Sequence, residues 1–468
     1  MNRLTRLLVL SMVLSLTASV TVAAAAGRHP AKKHHHARKH HHAKKHHPVK
    51  KHHPVMKPGQ TMTTITCGMK VTKSIMVANN IGPCTGDGLD IATSGITVDL
   101  NGHNIIGSNS TNITATEQVG INLLNATGVK VNGPGAVLDF DAGVSITGGG
   151  KNTISNLSAF DNIAHVVVTG GVPGKALATP CNFGDGITAD NSNGNTITGN
   201  EVFHNGPFSG ISLVDASSSN MVIGNHVYAQ TVSNIIPGPA IPNDMGNNGP
   251  CGPFQAGASP VGRPHQDIGI RVEGPGATNN VVAGNRSSAN QLNGISIHGN
   301  VCPGNPVGAT VGLPNTGNVI KGNTVVGNGF SDKLDGIGIL EQGPAGVVCV
   351  AYDTTITGNT SSGNAASGIF VGGRGSHDNK ITDNTVKDNG VDGIHLTGPE
   401  KNSRTGAVSI GAVHNTITGN TGSGNAQDDG SDGNPGCADN TWATNTFGFV
   451  SQTCVAAGTT VRPPAPPQ

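Results

Sequence analysis

The chain has 468 residues and a formal net charge of +1, but residues 1–58 hold 12 of the 28 Lys/Arg and no carboxylate, which leaves 16 basic and 27 acidic residues, a net of −11, in the remainder. An acidic body with no interleaving of aromatic and basic residues excludes a nucleic-acid binder. Only 13 residues are aromatic, with a single Trp at Trp442, which leaves little for the stacking platforms of a sugar-cleaving cleft.

Met1-Asn2-Arg3 and Arg6 precede an apolar run from Leu7 and then Ala23 to Ala26. A basic start, an apolar stretch and small residues predict a secretory signal peptide over 1–26, with an uncleaved anchor as the alternative. No other stretch reaches the ~20 apolar residues of a membrane helix. Residues 27–58 contain 11 of the 20 His, no acid and almost nothing to bury, so this arm is expected to be disordered. Its imidazoles at His34, His35, His36, His40, His41, His42, His46, His47, His52 and His53 are candidate ligands for Zn, Cu or Ni. Its Lys and Arg favour anionic cell-wall polymers or headgroups, and a solvated spacer is the plainer alternative.

The body, residues 59–455, is repetitive. Asn recurs in pairs five apart at Asn200/Asn205, Asn285/Asn290, Asn323/Asn328, Asn359/Asn364, Asn384/Asn389 and Asn420/Asn425, with Asn225/Gln230 a near match. Three residues before each first Asn stands Ile197, Val222, Val282, Ile320, Ile356, Ile381 or Ile417. About nine residues after it comes Gly-Ile, as at Gly210-Ile211, Gly294-Ile295 and Gly393-Ile394. Short period-2 strands bounded by Gly and Asn, repeating every 24–25 residues in the uninterrupted coils, predict an all-β parallel β-helix of roughly a dozen coils. Stacking then buries a continuous Ile/Val column that one coil cannot bury alone. The Asn columns are expected to form amide ladders that fix coil register. Residues 456–468 are a Pro-rich tail.

Eight Cys in a secreted chain predict four disulfides. Cys67/Cys84 and Cys437/Cys454, each 17 apart, flank the repeats and are expected to staple the two caps. Cys302 and Cys349 lie in insertions of adjacent coils, where the ~4.8 Å coil spacing suits a disulfide. Cys181 and Cys251 remain as the last pair, although the pairing of these four central cysteines stays open.

The opening CGMKVTKSIMVANNIGPCTGDGLDI with GITVDLNGHNIIG, and the closing CADNTWATNTFGFVSQTC, resemble the ends of secreted bacterial right-handed parallel β-helix proteins. More distantly the chain is similar to the periplasmic copper-binding accessory proteins of nitrous-oxide reductase and to pectin-lyase-like lyases, hydrolases and epimerases. The resemblance runs from about Thr61 to Cys454 and implies right-handed coiling. It is specific for fold and does not fix activity. Signatures of pectate lyase, polygalacturonase or alginate epimerase are lacking, as is G-x-S-x-G.

Insertions gather around the Gly-Ile strand, at residues 173–183, 237–266, 300–316, 342–352 and 398–413. Insertions collected on one edge of a solenoid mark its functional face. The residue after Gly-Ile points outward, giving the column Thr188, Ser212, Arg271, Ser296, Gly338, Phe370, His395. Asp185, Asn293, Asp335 and Asp392 precede the Gly residues. The candidate catalytic set is Asp267, Arg271, Glu273, His298 and Asp335, with His265 and Glu341 beside it, suited to acid/base chemistry or to Ca²⁺. Asp before Gly-Ile is equally a good bend residue. The expectation is a monomeric cell-envelope protein with a non-catalytic binding or scaffold role toward polysaccharide. The alternatives are a polysaccharide lyase, epimerase or hydrolase, and metal binding through the arm.

Overall fold

The computed structural model describes residues 61–108, 118–162, 184–206, 209–229, 268–274, 276–299, 314–330, 333–341, 351–372, 376–399, 411–455 and 460–461. The signal segment, the His arm, Cys181, Cys251, His265, Asp267, Cys302 and Cys349 lie outside them, as do most of the five insertions and all but two residues of the tail. Every described residue falls in one compact unit, Pro54–Gln468.

Three parallel sheets of 13, 11 and 14 strands form the walls of a right-handed β-helix. One coil shows the plan. Thr196–Thr198 belongs to the first sheet, Glu201–Phe203 to the second and Ser209–Val214 to the third, which carries the Gly-Ile strands. Each strand pairs in register with its equivalent one coil on, as Ile197 with Val222 and Ile211 with Ile270. The β-branched residues that mark the repeat, from Ile197 to Ile417, are all buried on the first wall, and Ile187 to Ile394 line the third. Fully burying each such side chain contributes about 1.5–3 kcal/mol.

Corners between walls are set by three Asn columns. The middle one runs through Asn200, Asn225, Asn285, Asn323, Asn359, Asn384, Asn420 and Asn445, each side-chain oxygen accepting from the amide of its predecessor at 2.9–3.0 Å. The second expected column is present as Asn290, Asn328, Asn364, Asn389 and Asn425, and as Asn162 and Asn205. A third column goes beyond the expected pairs: Asn195, Asn220, Asn280 and Asn318, and then Asn379, Asn415 and Asn440. Just before the middle column the chain turns left-handed, with φ 64° at Gly199 and 56° at Asp383. This is why Gly, Asn and Asp crowd these bends.

The Gly of Gly-Ile answers a different need. At Gly294 a Cβ atom would lie 2.7 Å from the Asn328 amide nitrogen and 2.9 Å from the Gly336 carbonyl oxygen, so the close approach of wall and ladder forbids a side chain there.

Both expected cap disulfides form, Cys67–Cys84 and Cys437–Cys454. At the C-terminal end the Trp442 ring closes the core, its indole N–H donating to Asp432 at 2.9 Å. Along the outer face of the second sheet, Phe160, Phe203 and Tyr228 stack in successive coils at 4.7 and 5.0 Å. Among the described residues no helix is long and apolar enough to cross a membrane.

Candidate functional site

The third sheet places one residue per coil in single file: Thr188, Ser212, Arg271, Ser296, Gly338, Phe370 and His395. The column is as expected, but its surroundings are not. Thr188, Ser212, Arg271 and Ser296 are buried, and only Phe370 and His395 are partly open. Strand alternation assigns a side chain to the outer face of a sheet, but it does not say whether anything lies over that face.

Arg271 and Glu273 alternate on the strand Ile268–Glu273 and meet at 2.6 Å while both are nearly buried. Ser296 and His298 sit opposite them one coil on. The four therefore form a compact quartet in which two buried atoms, Ser296 Oγ and His298 Nε2, have no hydrogen-bond partner. Burial pushes the His298 imidazole down to about 4, with Glu273 opposing and Arg271 assisting, so it is neutral at pH 7.

Asp335 does not join the quartet. Its carboxylate accepts the backbone N–H of Ser367 at 2.8 Å, tying one bend to the next. Asp185 does the same for Ser209 at 2.8 Å, and Asp392 for Asp428 at 2.9 Å. The bend role expected for Asp before Gly-Ile is thus the one seen. Burial raises Asp185 to about 7 and Asp335 to about 6, with those backbone bonds pulling the other way. Asp190 is raised to about 7 by burial and by the charge of Asp215.

The pair Asp392–His395 stands outside the expected set. Asp392 Oδ2 and His395 Nδ1 lie 2.7 Å apart, and the imidazole stacks on Phe370 at 5.5 Å, tilted by 3°. The carboxylate fixes the ring's orientation. Its signal lies in the column itself, where His395 and the Asp three residues before it share an uninterrupted coil.

No group of three or more His, Cys, Asp or Glu among the described residues is arranged to hold a metal ion. Of the expected set, Arg271, Glu273 and His298 come together, Asp335 stands apart beside Asp392 and His395, and Asp267 lies outside the described residues.

No curated protein sequence matches the chain. Among solved structures it is similar to the Dettilon tailspike protein (15% identity, 82% of this chain and 61% of that one, TM-score 0.47). It is also similar to the A-module of the Azotobacter vinelandii mannuronan C-5 epimerase AlgE4 (12%, 77% and 86%, TM-score 0.43) and to the periplasmic alginate epimerase AlgG (12%, 84% and 79%, TM-score 0.41). The chain thus spans under two thirds of the tailspike's length. Residues 266–454 match the family described as periplasmic copper-binding protein (NosD). Among the described residues of that stretch, no three His, Cys, Asp or Glu side chains are grouped to hold a metal ion. The chain is a right-handed parallel β-helix protein, similar over residues 266–454 to the periplasmic NosD family.

Proposed function

We propose that this is a secreted, extracytoplasmic β-helix that binds an extended polysaccharide along its third sheet and does not cleave it. The observation that carries this reading is the single-file register of the third sheet, one position per coil, which opens to solvent at Phe370 and His395. One position per coil, repeated at roughly 4.8 Å, matches a linear ligand better than a compact one. The N-terminal signal-like segment and the similarity to a periplasmic family support the location.

The groups that a lyase or hydrolase needs free are engaged within the fold. Arg271 is held by Glu273, and the Asp335 carboxylate by the Ser367 amide. Truncating one partner of a buried ion pair leaves the other charge uncompensated, which costs about 3–5 kcal/mol. Arg271→Ala is therefore expected to lower stability without abolishing any turnover. The test incubates full-length protein with neutral and uronic-acid polysaccharides, following retention on the polymer and release of new chain ends. Retention without release is expected. Release abolished by both Arg271→Ala and Asp335→Asn, in variants that remain folded, would replace binding with catalysis.

A further inference from the structure

The second sheet carries a solvent-facing strip that the glycan reading leaves unused. Its outer face presents two residues per coil, in two columns. In one column the stacked rings of Phe160, Phe203 and Tyr228 are followed in register by the small Ser288 and then by Val326, all half-buried. In the other, Glu201, His226 and Arg286 occupy three successive coils. Glu201 and Arg286 are both exposed. They stand two coil spacings apart, roughly 10 Å, and do not pair with each other. Glu201 accepts the Tyr228 O–H at 2.9 Å, which holds it on the strip. Arg286 has no ion-pair partner among the described residues.

We infer that this strip is the interface of a homodimer, in which two copies pack their second sheets face to face and antiparallel about a twofold axis crossing the strip at His226 and Tyr228. Such an axis lies along the strand direction, so each column meets itself in reverse order. Glu201 of each copy then faces Arg286 of the other, which gives two charge pairs that one chain alone does not make. Phe203 meets Ser288, a large ring against a small side chain, and Phe160 meets Val326, apolar against apolar. Partial burial and the Arg286 charge hold the His226 imidazole below its ordinary value, so the two rings at the axis meet uncharged at neutral pH. An axis one coil earlier would set Glu201 against Glu201, and one coil later Arg286 against Arg286, and like charges so opposed are strongly unfavourable. Aromatic side chains and Arg are also the residue types enriched where proteins meet. The strip is about 20 Å long and one strand wide, well under the ~800 Å² per partner of a standard interface, so the dimer is weak and depends on concentration. The chain is then a weak dimer rather than the monomer its sequence suggests. Its third sheet is a different wall, so dimerisation and glycan binding are separable.

The test is sedimentation velocity of full-length protein at pH 7.5 from about 1 to about 500 μM, with thermal melting to show that each variant is folded. Wild type should pass from monomer to dimer across this range. Glu201→Arg and Arg286→Glu should each weaken the dimer at least about tenfold. The double exchange, Glu201→Arg with Arg286→Glu, should recover to within about threefold of wild type, because opposite charges meet again with their signs reversed. Ser288→Arg, which puts bulk opposite Phe203 and leaves both members of the charge pair in place, should also weaken the dimer at least about tenfold. A wild-type protein that is monomeric at every concentration overturns the proposal. So does a dimer that both single reversals or Ser288→Arg leave intact, and so does a double exchange that dimerises no more tightly than the single ones.

Discussion

Asn285→Ala is expected to destabilise the solenoid by about 3–5 kcal/mol, although Asn285 touches no part of the proposed binding face. Its side-chain oxygen accepts the Asn225 backbone N–H at 2.8 Å and the Asn225 amide at 3.0 Å, while its own amide donates to Val222 O at 2.8 Å and Asn323 Oδ1 at 3.0 Å. Alanine removes all four bonds and strands buried groups on both neighbouring coils, at about 1–3 kcal/mol for each group left unsatisfied. Asn285→Asp should be nearly as damaging. It keeps the acceptor but loses the donor, and it places a buried charge against the Asn323 oxygen. Urea unfolding of the three proteins checks this. Wild-type stability in either variant would mean that the ladder is ornamental to the fold.

The pH dependence of stability should run opposite to that of most proteins near neutrality. Burial raises Asp185 and Asp190 to about 7 and Asp335 to about 6. The folded state therefore holds protons that the unfolded chain, titrating near 3.9, has released. The stability from these groups is fully present below about pH 4 and is lost as pH rises through 6 and 7. His298 works the other way. Its folded value of about 4 lies below the unfolded 6.5, so its contribution is present above pH 6.5 and is lost as pH falls toward 4. Three carboxyls outweigh one imidazole, and two of them act before His298 begins to titrate. The melting temperature should accordingly rise from pH 8 to pH 6.5. Asp185→Asn, neutral at every pH and still able to accept from the Ser209 amide, should melt higher than wild type at pH 8 and show a shallower slope. A wild-type melting temperature that falls from pH 8 to 6.5 would contradict the burial of these carboxyls.

Much of this architecture is written in local spacing. Ile197, Asn200 and Gly210-Ile211 recur because each answers a need repeated in every coil: a core contact, a corner amide and a glycine where wall meets ladder. The third Asn column is harder to see because Thr354 stands in its line, between Asn318 and Asn379, and breaks the five-residue step. The aromatic stack is hidden for another reason. Phe160 and Phe203 are 43 residues apart, and only the strand register of Ser158–Phe160 against Glu201–Phe203 brings them face to face. Period-2 alternation correctly assigns Arg271, Ser296 and His298 to the outer face of their sheet. It carries no information on their burial, which depends on what packs over that face rather than on the strand itself. His395 attracts little weight in the sequence because it sits in a coil without insertions, yet its partners are Asp392 on the preceding bend and Phe370 one coil back.

The proposed binding along the solenoid axis makes ligand length the decisive variable. Affinity of the full-length protein should be measured against a graded series of the best-binding glycan, from two to ten sugars. Affinity that climbs with added sugars over several coil spacings and then levels off is the predicted result. Full affinity already at the disaccharide, or shortening of the longer chains during the titration, would contradict a non-catalytic site that holds an extended polymer.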